Sequence, residues 1–314
     1  MYEYTLKETL FSAFGITESQ ITGGNVALEG AWDMPARIGK IFHDWGDEDG
    51  IEPYLRADEI FFGGRDIKFS GFMKASSRED ALERLDSFFN HLSSSDLMEL
   101  KGELGTWHVY VSSEITVEYF YGDDIAVIEF TFREPIVSFV DVMLPVPDHI
   151  GERIDDISWQ SLGVTFLTLT EDLNRPSLKS QVVTAYGVER YEGSKRSFRE
   201  LDFKGIIVQK SYADFKTVLN RLYKLFKMLN ARTLKMHDTT VREVFVKDGF
   251  KITNVTIEEN EVIAEIAITF CEIRQLQNWN NLTDITGLIL VDQYGQPLSE
   301  IAKKFQLWDK EQKT

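Results

Sequence analysis

Over residues 65–71 the chain alternates. Arg65, Ile67, Phe69 and Gly71 share one side, and Asp66, Lys68 and Ser70 share the other. A period of two with one polar side predicts a half-buried strand. The period then changes. Ser76 and Ser77 each precede an acidic residue by three positions, Glu79 and Asp80, which is a helix-start signal. Behind them Ala81, Leu82, Leu85, Phe88, Phe89 and Leu92 form a stripe at helical spacing, wide enough to seal one side of a sheet. Strands return at 107–111 and 114–120, then a turn at 122–124 and a strand over 125–132. In that last strand Ala126, Ile128, Phe130 and Phe132 share a face.

The same succession occurs a second time. Phe14-Gly-Ile-Thr17 returns as Leu162-Gly-Val-Thr165, and Pro35 with Trp45-Gly46 returns as Pro176 with Tyr186-Gly187. Residues 65–71 return as 199–205, Val109-Tyr-Val111 as Val244-Phe-Val246, and 125–132 as 263–270. Ser211 and Asp214 repeat the cap. Phe215, Val218, Leu219, Leu222, Tyr223, Phe226 and Leu229 repeat the stripe, and Ala264, Ile266, Ile268 and Phe270 repeat the core face. Five anchors in one order imply a tandem duplication, with units near 10–135 and 158–273. The expected organisation is a first repeat in 1–150, a second in 151–273, and a C-terminal extension over 274–314.

Each unit reads as several strands, one amphipathic helix and an antiparallel hairpin. The fold class is α+β and β-rich: two tandem β-sandwich or rolled-sheet domains, each with one flanking α-helix. The Gly-rich, acidic region 25–60 is expected to be an extended hairpin or long loop. The extension carries an apolar run at 287–291, a turn at 292–297 and a short helix at 298–305.

Composition narrows the class. The 314 residues are 43% apolar and 27% charged with 7 prolines, enough core for two domains and too little bias for disorder. No apolar run approaches a membrane span, and the first residues carry no secretory apolar stretch. The single cysteine, Cys271, excludes an internal disulfide and a Cys-rich zinc site, so folding in a reducing cell is expected. Charge is uneven: of 51 acidic and 34 basic residues, the first 150 positions hold 28 and 11, which is the whole net charge of −17. Such a surface disfavours sequence-specific binding of a phosphate backbone.

Chemistry is sparse. Phosphate loops, dinucleotide glycine fingerprints, HExxH helices and GxSxG elbows are absent. The acidic cluster Asp44, Asp47, Glu48 and Asp49 fails the EF-hand pattern, since Trp45 and Arg56 occupy the first and last ligand slots. It reads as a solvated acidic loop, with a looser oxygen-ligated cation site as the competing reading. His43, His91, His108, His149 and His237 show no metal-ligand spacing. His43, beside Asp44, is the candidate for acid–base work, and a surface histidine is the competing reading. His91 falls in the last turn of the helix, and His108 on the polar side of a strand. Cys271 reads as a small buried apolar residue. Trp159, Trp279 and Trp308 fall in linkers or the extension, as interface anchors or packing residues. No catalytic residues, metal or cofactor are expected.

A strand of the form Arg-x-Ile-x-Phe-x-Gly, a Ser-capped helix of leucines, a Val-Tyr-Val strand and a closing strand ending Thr131-Phe-Arg-Glu-Pro135 together resemble bacteriophage tail-tube, distal-tail and baseplate-hub proteins. The resemblance covers most of both units. It implies a virion structural protein, assembled in the bacterial host cytoplasm, forming a ring through which DNA passes. With two domains per chain, a homotrimer gives a pseudo-sixfold ring, and a hexamer is the other closed form. Other tail proteins are the implied partners, with no membrane and no sequence-specific nucleic acid. Asp44, Asp47, Glu48 and Asp49 are the implied lumen-facing acidic loop. Two further readings stand beside this one: a monomeric adaptor gripping a protein or glycan with two β-rich modules, and a hydrolase using an acidic pair within 44–49.

Overall fold

The computed structural model describes residues 3–301, apart from 22, 47, 94–95, 122–123, 172–173, 175, 237–240, 276–278 and 282–298, and apart from the side chains of 180–185, 190–194 and those from 274 onward. Asp47, His237, Trp308, the apolar run 287–291 and the turn at 292–297 lie outside the described residues, as do residues 122–123 of the expected turn at 122–124. Of the expected helix at 298–305, residues Ser299–Ile301 form a short strand paired with Trp279–Asn281. There the antiparallel partner satisfies the backbone groups that a helix turn would have paired locally.

The molecule is α+β and β-rich, as the alternation implies. In the N-terminal half, strand Arg65–Lys74 pairs antiparallel with Ile125–Glu134 over its whole length. On the far side of Ile125–Glu134 lie Gly105–Val111 and Thr116–Phe120, and beyond Gly105–Val111 follow Met98–Gly102 and Tyr4–Leu6. Ile16–Glu18 forms the opposite edge. The C-terminal half has the same order. Arg199–Gln209 pairs with Val262–Gln275, which pairs with the long strand Val241–Ile257; then come Arg232–Lys235 and Arg153–Ile154, with Thr165–Thr170 at the opposite edge. Val241–Ile257 takes the place of two strands of the first half, with register shifts where those two are separate.

Register agrees as well as order. Phe69 lies opposite Phe130, and Phe203 opposite Ile268; Gly71 lies opposite Ile128, and Gly205 opposite Ile266. The two glycines share a physical reason. A Cβ on Gly71 would come within 3.1 Å of Ile16 and 2.9 Å of the Phe69 ring, and one on Gly205 within 2.7 Å of Val164 and 3.2 Å of the Phe203 ring. Only a bare backbone lets the edge strand and the core ring approach there.

Each sheet carries one long helix, Arg78–Leu92 or Tyr212–Lys227. The Ser77 and Ser211 hydroxyls accept from the N–H of Asp80 and Asp214 and cap the helices, whereas the Ser76 hydroxyl donates to the Asp80 carboxylate at 2.9 Å. In the first helix Ala81, Leu85, Phe88 and Leu92 are buried, but Leu82 is half exposed, so the seam is narrower than the sequence stripe. The second helix ends at Lys227, which leaves Leu229 outside it and exposed. Short helical turns Phe11–Phe14 and Trp159–Leu162 precede the edge strands, each closed by a left-handed glycine, Gly15 at φ 73° and Gly163 at φ 92°. Trp159 is no linker residue: it is fully buried against Phe203 and Phe270.

One contiguous apolar core runs through both halves, from Tyr4 and Phe11 to Ile268 and Phe270. Trp32 of the first half links them, packing edge-on against Trp107 and against Phe215 of the second helix.

Candidate functional site

Among the described residues, those singled out for chemistry lie apart from one another. His43 ends a short exposed strand, its ring tilted against Trp45 with centroids 3.9 Å apart. The His91 ring lies 2.9 Å from the Leu6 carbonyl and tilts over Phe14, tying the helix end to the first strand. His108 faces outward opposite Glu99. His149 lies 3.3 Å from Asp156. Cys271 is buried against Ile51 and Phe245, and burial pushes its thiol up to about 12, which suits a packing residue and not a nucleophile. Among the described residues no group of three or more His, Cys, Asp or Glu is placed to hold a metal ion.

The acidic loop has a different partner from those expected. Residues 37–62 form an arm of nested antiparallel pairs, Arg37–Ile38 with Phe61–Phe62 and Phe42–His43 with Glu52–Pro53. The second half carries its own hairpin, Leu178–Ala185 with Val188–Arg196. Lys179 joins the two. Its ammonium forms an ion pair with Asp44 and donates to the carbonyls of Trp45 (2.9 Å), Glu48 (3.2 Å) and Gly50 (2.7 Å). The Asp49 carboxylate accepts from the Arg196 N–H at 2.7 Å, and the Gly50 N–H donates to the Arg196 carbonyl at 2.8 Å. Of the carboxylates that suggested a cation site, Asp44 alone meets the lysine, and three backbone carbonyls of the loop complete the surroundings of its ammonium. Ile51, Phe42 and Phe198 pack beneath this clamp.

A second junction involves residues 25–34, which follow the edge strand of the first half and lie along the long strand of the second. The Asn25 side chain both accepts from the Ile257 N–H and donates to the Ile257 carbonyl, each at 2.8 Å, and the Asn25 N–H donates to the Val255 carbonyl at 3.0 Å. Asp33 accepts from the Ile252 N–H at 2.7 Å, and the Met34 N–H donates to the Phe250 carbonyl at 2.9 Å. The edge of 250–257 that faces away from Val262–Gln275 is thereby covered.

Ladder register identifies the matching stretch of the first half. Thr116 to Phe120 pair with Glu129 to Ile125, the counterparts of the residues that pair with 251–256. Among the described residues Thr116–Phe120 pairs on that one side only, and Phe120 and neighbouring Tyr121 are exposed. Thr165–Thr170 likewise pairs only with Arg199–Gln209 and exposes Leu167. Among the strands that the described residues pair on one side only, Thr116–Phe120 and Thr165–Thr170 are the two at positions that correspond to the two sides of the internal junction.

Two buried ion pairs also repeat. Arg65 bonds Glu134 at 2.6 Å, and Arg199 bonds Glu272 at 2.8 Å, with Arg242 3.5 Å from the same carboxylate. The arginines belong to the repeated strand motif. The glutamates lie at corresponding positions two residues past the last core phenylalanine of each closing strand and are legible as partners only once the register is known.

No family model matches this chain, and no curated protein matches it. Among solved structures, it is similar to the crystal structure of the SPP1 Dit (gp 19.1) protein, described as a paradigm of the hub adsorption apparatus in phages infecting Gram-positive hosts. The TM-score is 0.34 with 9% identity, covering 87% of this chain and 98% of that one. Among the described residues no helix is long and apolar enough to cross a membrane.

Proposed function

We propose that this chain is a non-enzymatic structural subunit of a phage or prophage tail, associating head to tail with copies of itself into a closed ring. The observation that carries the reading is the pair of open edges. Within one chain, the side of the first half that bears Ile16–Glu18 and 25–34 covers the stretch 251–256 of the second half. By the same arrangement, the side of the second half that bears Thr165–Thr170 covers Thr116–Phe120 of the next copy. A heterologous contact repeated in this way closes into a ring if the rotation allows. Three copies of a two-half chain then give six similar positions.

The matching strand order, cap glycines and buried Arg–Glu pairs support descent of both halves from one module copied head to tail. In such a ring the acidic loop of Asp44, Asp47, Glu48 and Asp49 faces the bore, and its acidic charge in excess of the one lysine paired with Asp44 disfavours adhesion of the DNA backbone and lets it pass. The partners are copies of this chain and other tail proteins, in a particle assembled in the bacterial cytoplasm.

Sedimentation of the full chain tests this. A trimer or hexamer is expected for the wild type. Phe120→Lys and Leu167→Lys, which place charge on the two open edges, should each give a monomer with an unchanged unfolding midpoint. A wild type that stays monomeric at high concentration would favour the adaptor reading, and oligomers indifferent to both substitutions would exclude these edges.

A further inference from the structure

The junction along 250–257 contains an ionisable group at its tightest point. Asp33 is partly buried between the halves, with Oδ1 held by the Ile252 N–H of the second half. Its own carbonyl accepts from Arg65 Nη1 at 3.1 Å, and the Tyr223 hydroxyl of the second helix donates to the neighbouring Trp32 carbonyl at 2.5 Å. The charges that reach Asp33 come from every neighbouring element. They are Arg65 from Arg65–Lys74, Lys251 from Val241–Ile257 and Glu29 from Leu28–Glu29, with Tyr223 and Glu134 grouped around the same arginine. Arg65 is a poor counter-ion here, because its Nε is committed to Glu134 at 2.6 Å.

We propose that Asp33 is a proton-operated latch between the two halves, closed when its carboxyl is neutral and loosened when it ionises. A neutral carboxyl still offers its carbonyl oxygen to Ile252 and carries no unmet demand for water. An ionised one is fully hydrated only if residues 25–34 lift away from the long strand. Loss of hydration accordingly pushes Asp33 up to about 6, against the lowering effects of the Ile252 N–H, Arg65 and Lys251. If the opened junction returns the group to the ordinary carboxylate value near 4, the closed form binds more protons between about pH 4 and pH 6. Closure is therefore strongest below that window and weakens as pH rises through it, reaching its lowest level above 6. Full linkage over about two pH units corresponds to a change on the order of a hundredfold in the opening equilibrium. The latch is a property of the single chain and holds whether or not copies form a ring.

Amide exchange of Met34 and Ile252, corrected for the intrinsic pH dependence, reads the opening directly. Protection in the wild type should fall between tenfold and a hundredfold from pH 4.5 to pH 7.5. Asp33→Asn, which keeps an acceptor oxygen and removes the charge, should hold protection high at both. Carbon-13 titration of the Asp33 carboxyl in the wild type needs no variant and should place its midpoint near 6. Protection independent of pH in the wild type, the same pH dependence in Asp33→Asn, or a midpoint in the ordinary carboxylate range would each overturn the latch.

Discussion

Arg65 with Glu134 and Arg199 with Glu272 are almost fully shielded from water, so each charge depends on the other. Removing one member strands its partner, which costs about 3–5 kcal/mol, whereas replacing both by apolar residues of similar volume is close to neutral. Glu134→Ala should therefore lower the urea midpoint sharply, and the double substitution Arg65→Met with Glu134→Leu should recover most of it. Gly71→Ala and Gly205→Ala should each cost about 1–3 kcal/mol, because the added methyl enters space held by Ile16 or Val164 and by a phenylalanine ring. These positions mark the limit of what single residues disclosed. Arg65 and Gly71 stand out in the sequence through their repetition at 199 and 205. Glu134 and Glu272 do not, because Phe-Arg-Glu-Pro and Phe-Cys-Glu-Ile share only the phenylalanine and the glutamate, and a lone acidic residue near a strand end carries no periodic signal.

Among the elements, alternation identified the core faces of the long strands correctly, since burial on one side of a sheet forces period two on the sequence. Ile67 and Phe69 are buried, as are Ala126, Ile128, Phe130 and Phe132 and their counterparts. The arm and its clamp were legible only as an acidic hairpin, because Lys179 is remote in sequence and nothing local marks it. Lys179→Ala should release the arm from the hairpin, seen as faster amide exchange at Gly50 and Arg196, with the global unfolding midpoint little changed.

The segment between the two units, residues 136–157, is tied to the start of the second by Asp148. The Asp148 carboxylate accepts from the Ser158 hydroxyl at 2.5 Å and the Ser161 hydroxyl at 2.6 Å, and these hold it well below the usual carboxylate range. A depressed value in the folded state stabilises at every pH above the ordinary carboxylate value, and the benefit fades as pH falls through the depressed one. Exchange at the Ser158 amide, which also donates to Asp148 at 2.9 Å, should stay slow at pH 4 and rise at neutral pH in Asp148→Asn.

For the whole molecule, the repeated order of strands explains why the two open edges are not equivalent to ordinary exposed strands. The first half covers 250–257 of the second through Asn25, Asp33 and Met34, and the proposed ring repeats that contact between copies. Long-range pairing of this kind leaves no period in the sequence, so the order of the elements was legible and the contact between the halves was not. Class averages of the purified, assembled particle by electron microscopy address this most directly. The expected image is a closed ring of three chains showing six similar lobes, with Thr116–Phe120 of each chain against Thr165–Thr170 of its neighbour. A ring whose contacts leave both of those strands bare, or particles that remain single chains at every concentration, would refute it.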